Sequence, residues 1–310
     1  STQAKTLFPY TTLFRSMSMG GKVYGLPFDT GTTGMYYRSD LIKQAGFSDK
    51  DMQNITWDRY IEIGKQVEAK TGKKMFAMDP QDIASIRIMM QSAGRWYFDK
   101  DGKLDIKNNP ALKAALETQV KFMKTGVYKP TSGWGEWVGA LNKGDVASVI
   151  TGVWITGSVK AEASQSGKWA VAATPRLNVP GATNASNLGG SSWYVLSSAK
   201  EKAAAADFLN EIYAKDVDFY QTILQSRGAV GSLLASRNGK AYSEADPFFG
   251  GAKVWQQYSD WMGKVPSVNY GIYTAEGDAA VAAQLPALAQ GLPVEKALEN
   301  IHNQLASQIK

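Results

Sequence analysis

Trp134 in SGWGEW and Trp193 in GGSSWYV stand beside Gly or Ser, and Trp137, also in SGWGEW, and Trp154 in VITGVW lie two residues from a Gly, where the interior of a helix or strand would not place an indole. A flat apolar ring in such a position can stack against a ligand that has an apolar face and a polar rim. Carboxylates suit the rim, because each accepts hydrogen bonds from two neighbouring hydroxyls. Asp29 in PFDTGTTG and Asp79 and Asp82 in MDPQD are the candidates in loop-forming surroundings. Every one of these residues has a plainer alternative, and the sequence leaves it open: Asp29 as a turn cap, Asp82 as a helix cap, Trp154 as a packing residue, Trp193 as a core residue on the strand face it shares with Val195.

What is missing narrows the chemistry further. The 310 residues contain no cysteine and a single histidine, His302, which removes disulfide frameworks, cysteine nucleophiles, thiolate zinc sites and multi-histidine metal centres. No cofactor, metal or catalytic residue is expected. His302 falls in the helical pattern VEKALENIHNQLASQIK without a serine or carboxylate set to make it a base, and reads as a surface residue. Ser197 and Lys200 in SSAK, with KTG at 70–72 and 124–126, imitate fragments of a serine β-lactamase site. In that class the SxxK precedes the KTG; here it follows both. GTTG at 31–34 lacks the spacing of a dinucleotide loop. The net charge is +6, yet the densest basic stretch is KTGKK at 70–74 and acidic residues are interspersed, so no nucleic-acid partner is expected. Apolar residues make 44% and charged residues 20%, ordinary globular usage, and no apolar run approaches the ~18–20 residues that span a bilayer.

The elements that must position these side chains alternate. Strands are expected over 22–27 and 35–38, then a helix capped by Thr56 with Tyr60, Ile63 and Val67 at helical spacing and Gly72 as its stop. A strand at 74–78 and helices over 81–93 and 110–125 follow, the second opened by Pro110 and closed by Gly126. A helix at 136–143, a strand at 147–151 and a helix from Trp154 come next. Strands WAVAATP and SSWYVLS precede two helices over 199–226 and a broken helical region over 274–310. Such alternation predicts an α/β protein with mainly parallel sheets, and ligands of these folds collect beyond the carboxyl ends of the strands, where Asp79, Asp82 and Trp154 fall. The Gly/Thr-rich run around Asp29 and Gly31, and the run containing Gly189 and Gly190, read as bendable chain crossings with close backbone approach.

Four stretches, GKVYGLPFDTGTTGMYYRSDLIKQAGF, TWDRYIEIGKQVEAKTG, WVGALNKGDVASVITGVW and GGSSWYVLSSAKEKAAAADFLNEIY, together resemble the successive signatures of the family 1 extracellular solute-binding proteins. The resemblance runs from Gly20 to Lys310 in order and spacing, although none of the four is specific alone. It implies the two-lobed periplasmic-binding-protein fold, type II-like, and the non-enzymatic receptor of a bacterial ABC sugar importer. A mono- or oligosaccharide would be held between the lobes by stacking and hydroxyl hydrogen bonds. Trp154 matches the family's sugar-stacking tryptophan, and Trp134 a second cleft aromatic that Trp137 could replace. The ligand-binding set is then Asp29, Gly31, Asp79, Asp82, Trp134, Trp154, Gly190, Trp193, Arg227 and Tyr273, with Arg227 near a third crossing and Tyr273 in a cleft-facing region of relatives. In SAGRWYF, Arg95 stands where relatives often have a second glycine, which leaves the setting of Trp96 open. The implied partners are the saccharide and the transmembrane permease subunits. The implied state is a monomer, periplasmic or extracellular, with a lipid anchor on a preceding segment.

Residues 1–16 do not lead into the pattern that follows and read as a non-native or disordered leader. By the resemblance, 17–28 and 188–232 belong to an N-terminal lobe that is incomplete, and 29–187 with 233–310 form the C-terminal lobe. Exposed apolar surface on the incomplete side, and sugar binding that is weak or absent, are therefore expected. A carbohydrate-active enzyme using cleft carboxylates, and a receptor for a non-sugar solute such as glycerol phosphate or a polyamine, are the competing classes.

Overall fold

The structure, a computed structural model, describes residues 17–19 and 22–309; the leader expected over 1–16 lies outside them. In chain order the first elements are β1 (Ser18–Met19), β2 (Lys22–Val23), β3 (Leu26–Pro27), β4 (Thr33–Arg38), α1 (Ser39–Gln44), α2 (Trp57–Thr71) and β5 (Phe76–Met78). Then come α3 (Ala84–Ser92), α4 (Pro110–Thr125), β6 (Tyr128–Pro130), α5 (Gly133–Asn142), β7 (Ser148–Gly152), α6 (Thr156–Val159) and β8 (Trp169–Ala173). The rest are β9 (Ser192–Trp193), α7 (Lys202–Lys215), α8 (Val217–Arg227), α9 (Lys240–Ser243), α10 (Val254–Met262), α11 (Thr274–Ala282), α12 (Leu285–Ala289) and α13 (Val294–Gln308). The helix signals operate as expected. Thr56 Oγ1 accepts the Arg59 N–H at 3.2 Å to open α2, and Asn109 Oδ1 accepts the N–H groups of Ala111 and Leu112 to open α4. The two helices stop at Gly72 and Gly126.

The main sheet has the order β6-β5-β7-β4-β8. β5 runs parallel to β6 and, through the Lys74–Val146 bridge, to β7, whereas β4 is antiparallel to both β7 and β8. Four strands thus share one direction and the fifth, β4, opposes them, which corrects the expectation of mainly parallel pairing at the centre of the sheet. The reason is topological: β4 enters from the chain crossing that precedes it, without the helical crossover that forces parallel strands. All six residues of β4 are buried. Their alternation builds two cores, Met35 and Tyr37 packing on the face covered by α2, α3, α4 and α13, and Tyr36 on the face covered by α5 and α10.

Three crossings lie side by side. Residues 28–33 occupy the middle, bonded to 186–191 through Leu188 N–H to Gly31 O (2.8 Å), Thr33 N–H to Ser186 O (2.9 Å) and Phe28 N–H to Ser191 O (2.9 Å). On the other side Thr30 N–H donates to Val230 O (2.9 Å) and Ser232 N–H to Phe28 O (2.9 Å). Beyond the crossings sits a smaller assembly in which β3 pairs with β9 and Tyr220 and Leu233 are buried against Leu26, Phe28 and Phe219. The strand expected over SSWYVLS shrinks to two residues because β3, ending at Pro27, offers only two partners. α7 buries none of its residues, and Trp193, Tyr194, Leu196 and Phe208 are exposed there, as the expectation of apolar surface on this side required.

Candidate functional site

Three strands end at one place. Asp79 follows β5, Thr131 follows β6 and Trp154 lies two residues past β7, in a 3₁₀ turn. Together with α5 and Leu188 of the second crossing they line a groove of about 320 Å³, at the small end of the ~300–1,000 Å³ typical of ligand clefts. Two of its walls are set by glycines whose missing side chains allow close approach. A Cβ on Gly31 would fall 2.0 Å from Leu188 O, and one on Gly152 would fall 2.1 Å from Trp154 Nε1.

The indoles meet here. Trp154 anchors its edge by donating Nε1–H to Leu188 O at 3.0 Å, and Trp137 donates its own to Ala77 O at 3.1 Å. Trp134, on the first turn of α5, is 57% exposed. Ring centroids are 5.5 Å apart for Trp134 and Trp137, 6.1 Å for Trp134 and Trp154, and 6.5 Å for Trp137 and Trp154. At these separations the rings touch one another. They form one continuous shelf rather than jaws around a separate ring. With both Nε1–H donors of Trp137 and Trp154 spent on backbone carbonyls, what the two anchored indoles can offer a ligand is apolar face.

Asp79 and Asp82 line the same groove. Each commits one oxygen locally, Asp79 Oδ1 accepting the Gln81 N–H and Asp82 Oδ1 the Ala84 N–H, both at 2.9 Å. Asp82 thus closes a turn one residue ahead of the N-cap position of α3, which Ile83 occupies, and a second oxygen on each carboxylate accepts no hydrogen bond among the described residues.

The remaining expected site residues lie elsewhere. Gly31 is buried in the crossing against Leu188, where its role is clearance. Asp29 bridges to Gly231 and accepts the Ser191 N–H at 2.5 Å. Burial pushes its carboxyl above the usual range while that N–H pulls it back, the signature of a crossing clamp. Gly190 is exposed on the second crossing. Trp193, 40% exposed, stacks on Tyr213 (5.2 Å) and Phe28 (5.9 Å) beside the smaller assembly and does not line the groove. Arg227 is exposed at the carboxyl end of α8, where a cation favours the helix dipole. Tyr273 caps the start of α11 and packs on the first core. Neither Arg227 nor Tyr273 lines the groove. Trp96, left open by the sequence, is a core residue packed edge-on against Tyr270 at 4.8 Å. His302 is half-buried rather than superficial, and burial lowers its pKa.

Sequence reasoning passed over Thr131, Ser85 and Leu188. The signal for Thr131 was available, since it stands at a strand's carboxyl end immediately before a helix, as Trp154 does. A larger cleft of about 1,080 Å³ is lined by Tyr24, Arg95, Tyr194, Tyr270 and Ile272 among others. It holds none of the ten expected residues, and its indole, Trp96, is turned into the core.

Comparisons with known proteins agree with this architecture. Residues 1–250 match the family model described as bacterial extracellular solute-binding protein. A lactose-binding protein of Rhizobium radiobacter is 61% identical over 294 residues, which cover 95% of this chain and 70% of that one. An arabinooligosaccharide-binding protein of Bacillus subtilis is 32% identical over 197 residues, covering 62% of this chain and 45% of the relative. Among solved structures, an ABC-transporter-associated binding protein of B. animalis subsp. lactis, in complex with β-1,6-galactobiose, superposes with a TM-score of 0.79 at 22% identity, covering 98% of this chain and 77% of the other. The fold is therefore the two-lobed solute-binding fold, and the chain belongs to the bacterial extracellular solute-binding proteins.

Proposed function

We propose that this chain is the receptor of an ABC importer and that it captures a galactoside disaccharide, lactose or a close relative, without altering it. The observation that carries the reading is the shelf of Trp134, Trp137 and Trp154 in one groove with Asp79 and Asp82. A pyranose presents C–H groups on its faces and hydroxyls around its rim. Indole faces bury the former, and carboxylate oxygens accept from the latter. The choice of lactose rests on the 61% identity to a lactose-binding protein.

Leu188 links the groove to the hinge, because it belongs to a crossing and also holds the Trp154 edge. A ligand seated on the shelf contacts the moving part directly, and closure follows if the closed form binds it more tightly. The permease subunits would read that closed form outside the cytoplasmic membrane.

The test is titration of the 310-residue chain with lactose, maltose, an arabinooligosaccharide, spermidine and glycerol phosphate, followed by saturation-transfer NMR so that millimolar affinities register. Saturable lactose binding with the sugar recovered intact supports the reading. Release of galactose and glucose over hours would move the protein to the enzyme class, and preference for a polyamine or glycerol phosphate would overturn the sugar assignment.

A further inference from the structure

Thr131 is 7% exposed, lines the groove, and its Oγ1 is a buried side-chain oxygen with no hydrogen-bond partner among the described residues. Its position is rigid. The Thr131 N–H donates to Met78 O at 3.1 Å, which extends the β5–β6 ladder by one rung and fixes the backbone under the groove. The neighbouring groove hydroxyl of Ser85 is already spoken for, since it donates to Gln119 Oε1 at 2.9 Å. A hydroxyl removed from water and left without a partner destabilises the fold, and a valine of the same shape and β-branching would fill the position better. The cost is recovered when a partner arrives with the ligand. No partner bond among the described residues holds the present rotamer, and a threonine has three staggered χ1 positions, so the hydroxyl is free to turn.

We propose that Thr131 is a specificity-determining residue, whose hydroxyl turns into the groove to hydrogen-bond one ring hydroxyl of the bound saccharide. The proposal rests on the receptor reading above and adds to it a single named recognition bond. Stacking on the indoles is tolerant of epimers, because every pyranose offers some C–H face. A directional bond from a fixed strand end is not tolerant, and it rejects an analogue that lacks the hydroxyl or carries it on the other side.

The experiment compares the 310-residue chain with Thr131→Val and Thr131→Ser, using lactose and its set of monodeoxy analogues. The expected result for Thr131→Val is a roughly tenfold loss of lactose affinity, about 1.4 kcal/mol, with a melting temperature of the unliganded protein that is unchanged or raised. Thr131→Ser should restore most of the affinity. One monodeoxy analogue should bind the parent chain about tenfold more weakly than lactose yet bind Thr131→Val as well as lactose does, which identifies the hydroxyl. Equal lactose affinities for the parent and Thr131→Val would overturn the proposal and leave the receptor reading intact. Absence of lactose binding by the parent chain would sink both. A lower melting temperature in Thr131→Val without any analogue losing its penalty would assign the residue to packing.

Discussion

A single indole carries two jobs at opposite sides of its ring. Trp154 spends its polar edge on Leu188 O and keeps a face in the groove, so the two functions separate by substitution. On the receptor reading, Trp154→Ala should weaken lactose by about 2 kcal/mol, roughly thirtyfold, from the lost apolar contact. Trp154→Phe keeps a smaller flat face and loses the carbonyl bond. It should retain most of the affinity in the same lactose titration, and equal losses in the two variants would show that the edge, not the face, matters. Trp154 was legible in the sequence because its type is rare and its place after an apolar strand is diagnostic. Asp79 and Asp82 were legible for the same positional reason. For Trp193 alternation fixes which side of a strand the ring takes but not which body lies on that side; here Tyr213 of α7 does, away from the groove. Thr131 is small and common in strands, and its unpartnered oxygen exists only in three dimensions.

At the scale of elements, the helices were read closely because capping and stop signals are local. Pro110–Thr125 and its caps match the expectation, while the helix expected at 136–143 begins earlier, at Gly133. The reversed direction of β4 was not legible, because pairing depends on where a strand enters the sheet and no residue pattern records that. The junction of β7 with its 3₁₀ turn is the most constrained element in the groove. Gly152 has φ −65° and ψ 153°, a conformation open to any residue, so a substitution there meets a steric penalty alone. A methyl group would stand 2.1 Å from Trp154 Nε1 and 2.8 Å from Leu188 O. Gly152→Ala should therefore displace the indole, costing about 1–3 kcal/mol of stability, and it should also shift tryptophan emission. Melting curves and emission spectra check both; an unmoved spectrum with unchanged stability would mean that the turn gives way more easily than the geometry indicates.

For the whole molecule the contrast is between a sheet buried on both faces and an assembly whose cluster of buried apolar side chains is Tyr220 and Leu233. Tyr194, Leu196 and Phe208 are 53%, 70% and 60% exposed on that side. Apolar surface of this kind drives association. The 310-residue chain should sediment as more than monomers at tens of micromolar, and Leu196→Ser with Phe208→Ser should restore the monomer without lowering the melting temperature, because neither side chain is packed. A chain that sediments as a monomer without the substitutions would refute this. The same asymmetry has a kinetic side. α7 has no fully buried side chain and packs through Tyr213 and Ala214 at its carboxyl end, so the amides of its first two turns are shielded by little beyond the helix itself. Deuterium should enter them within the earliest labelling times, orders of magnitude ahead of β4, and the slow protons of β4 would then report the energy of opening the large sheet alone.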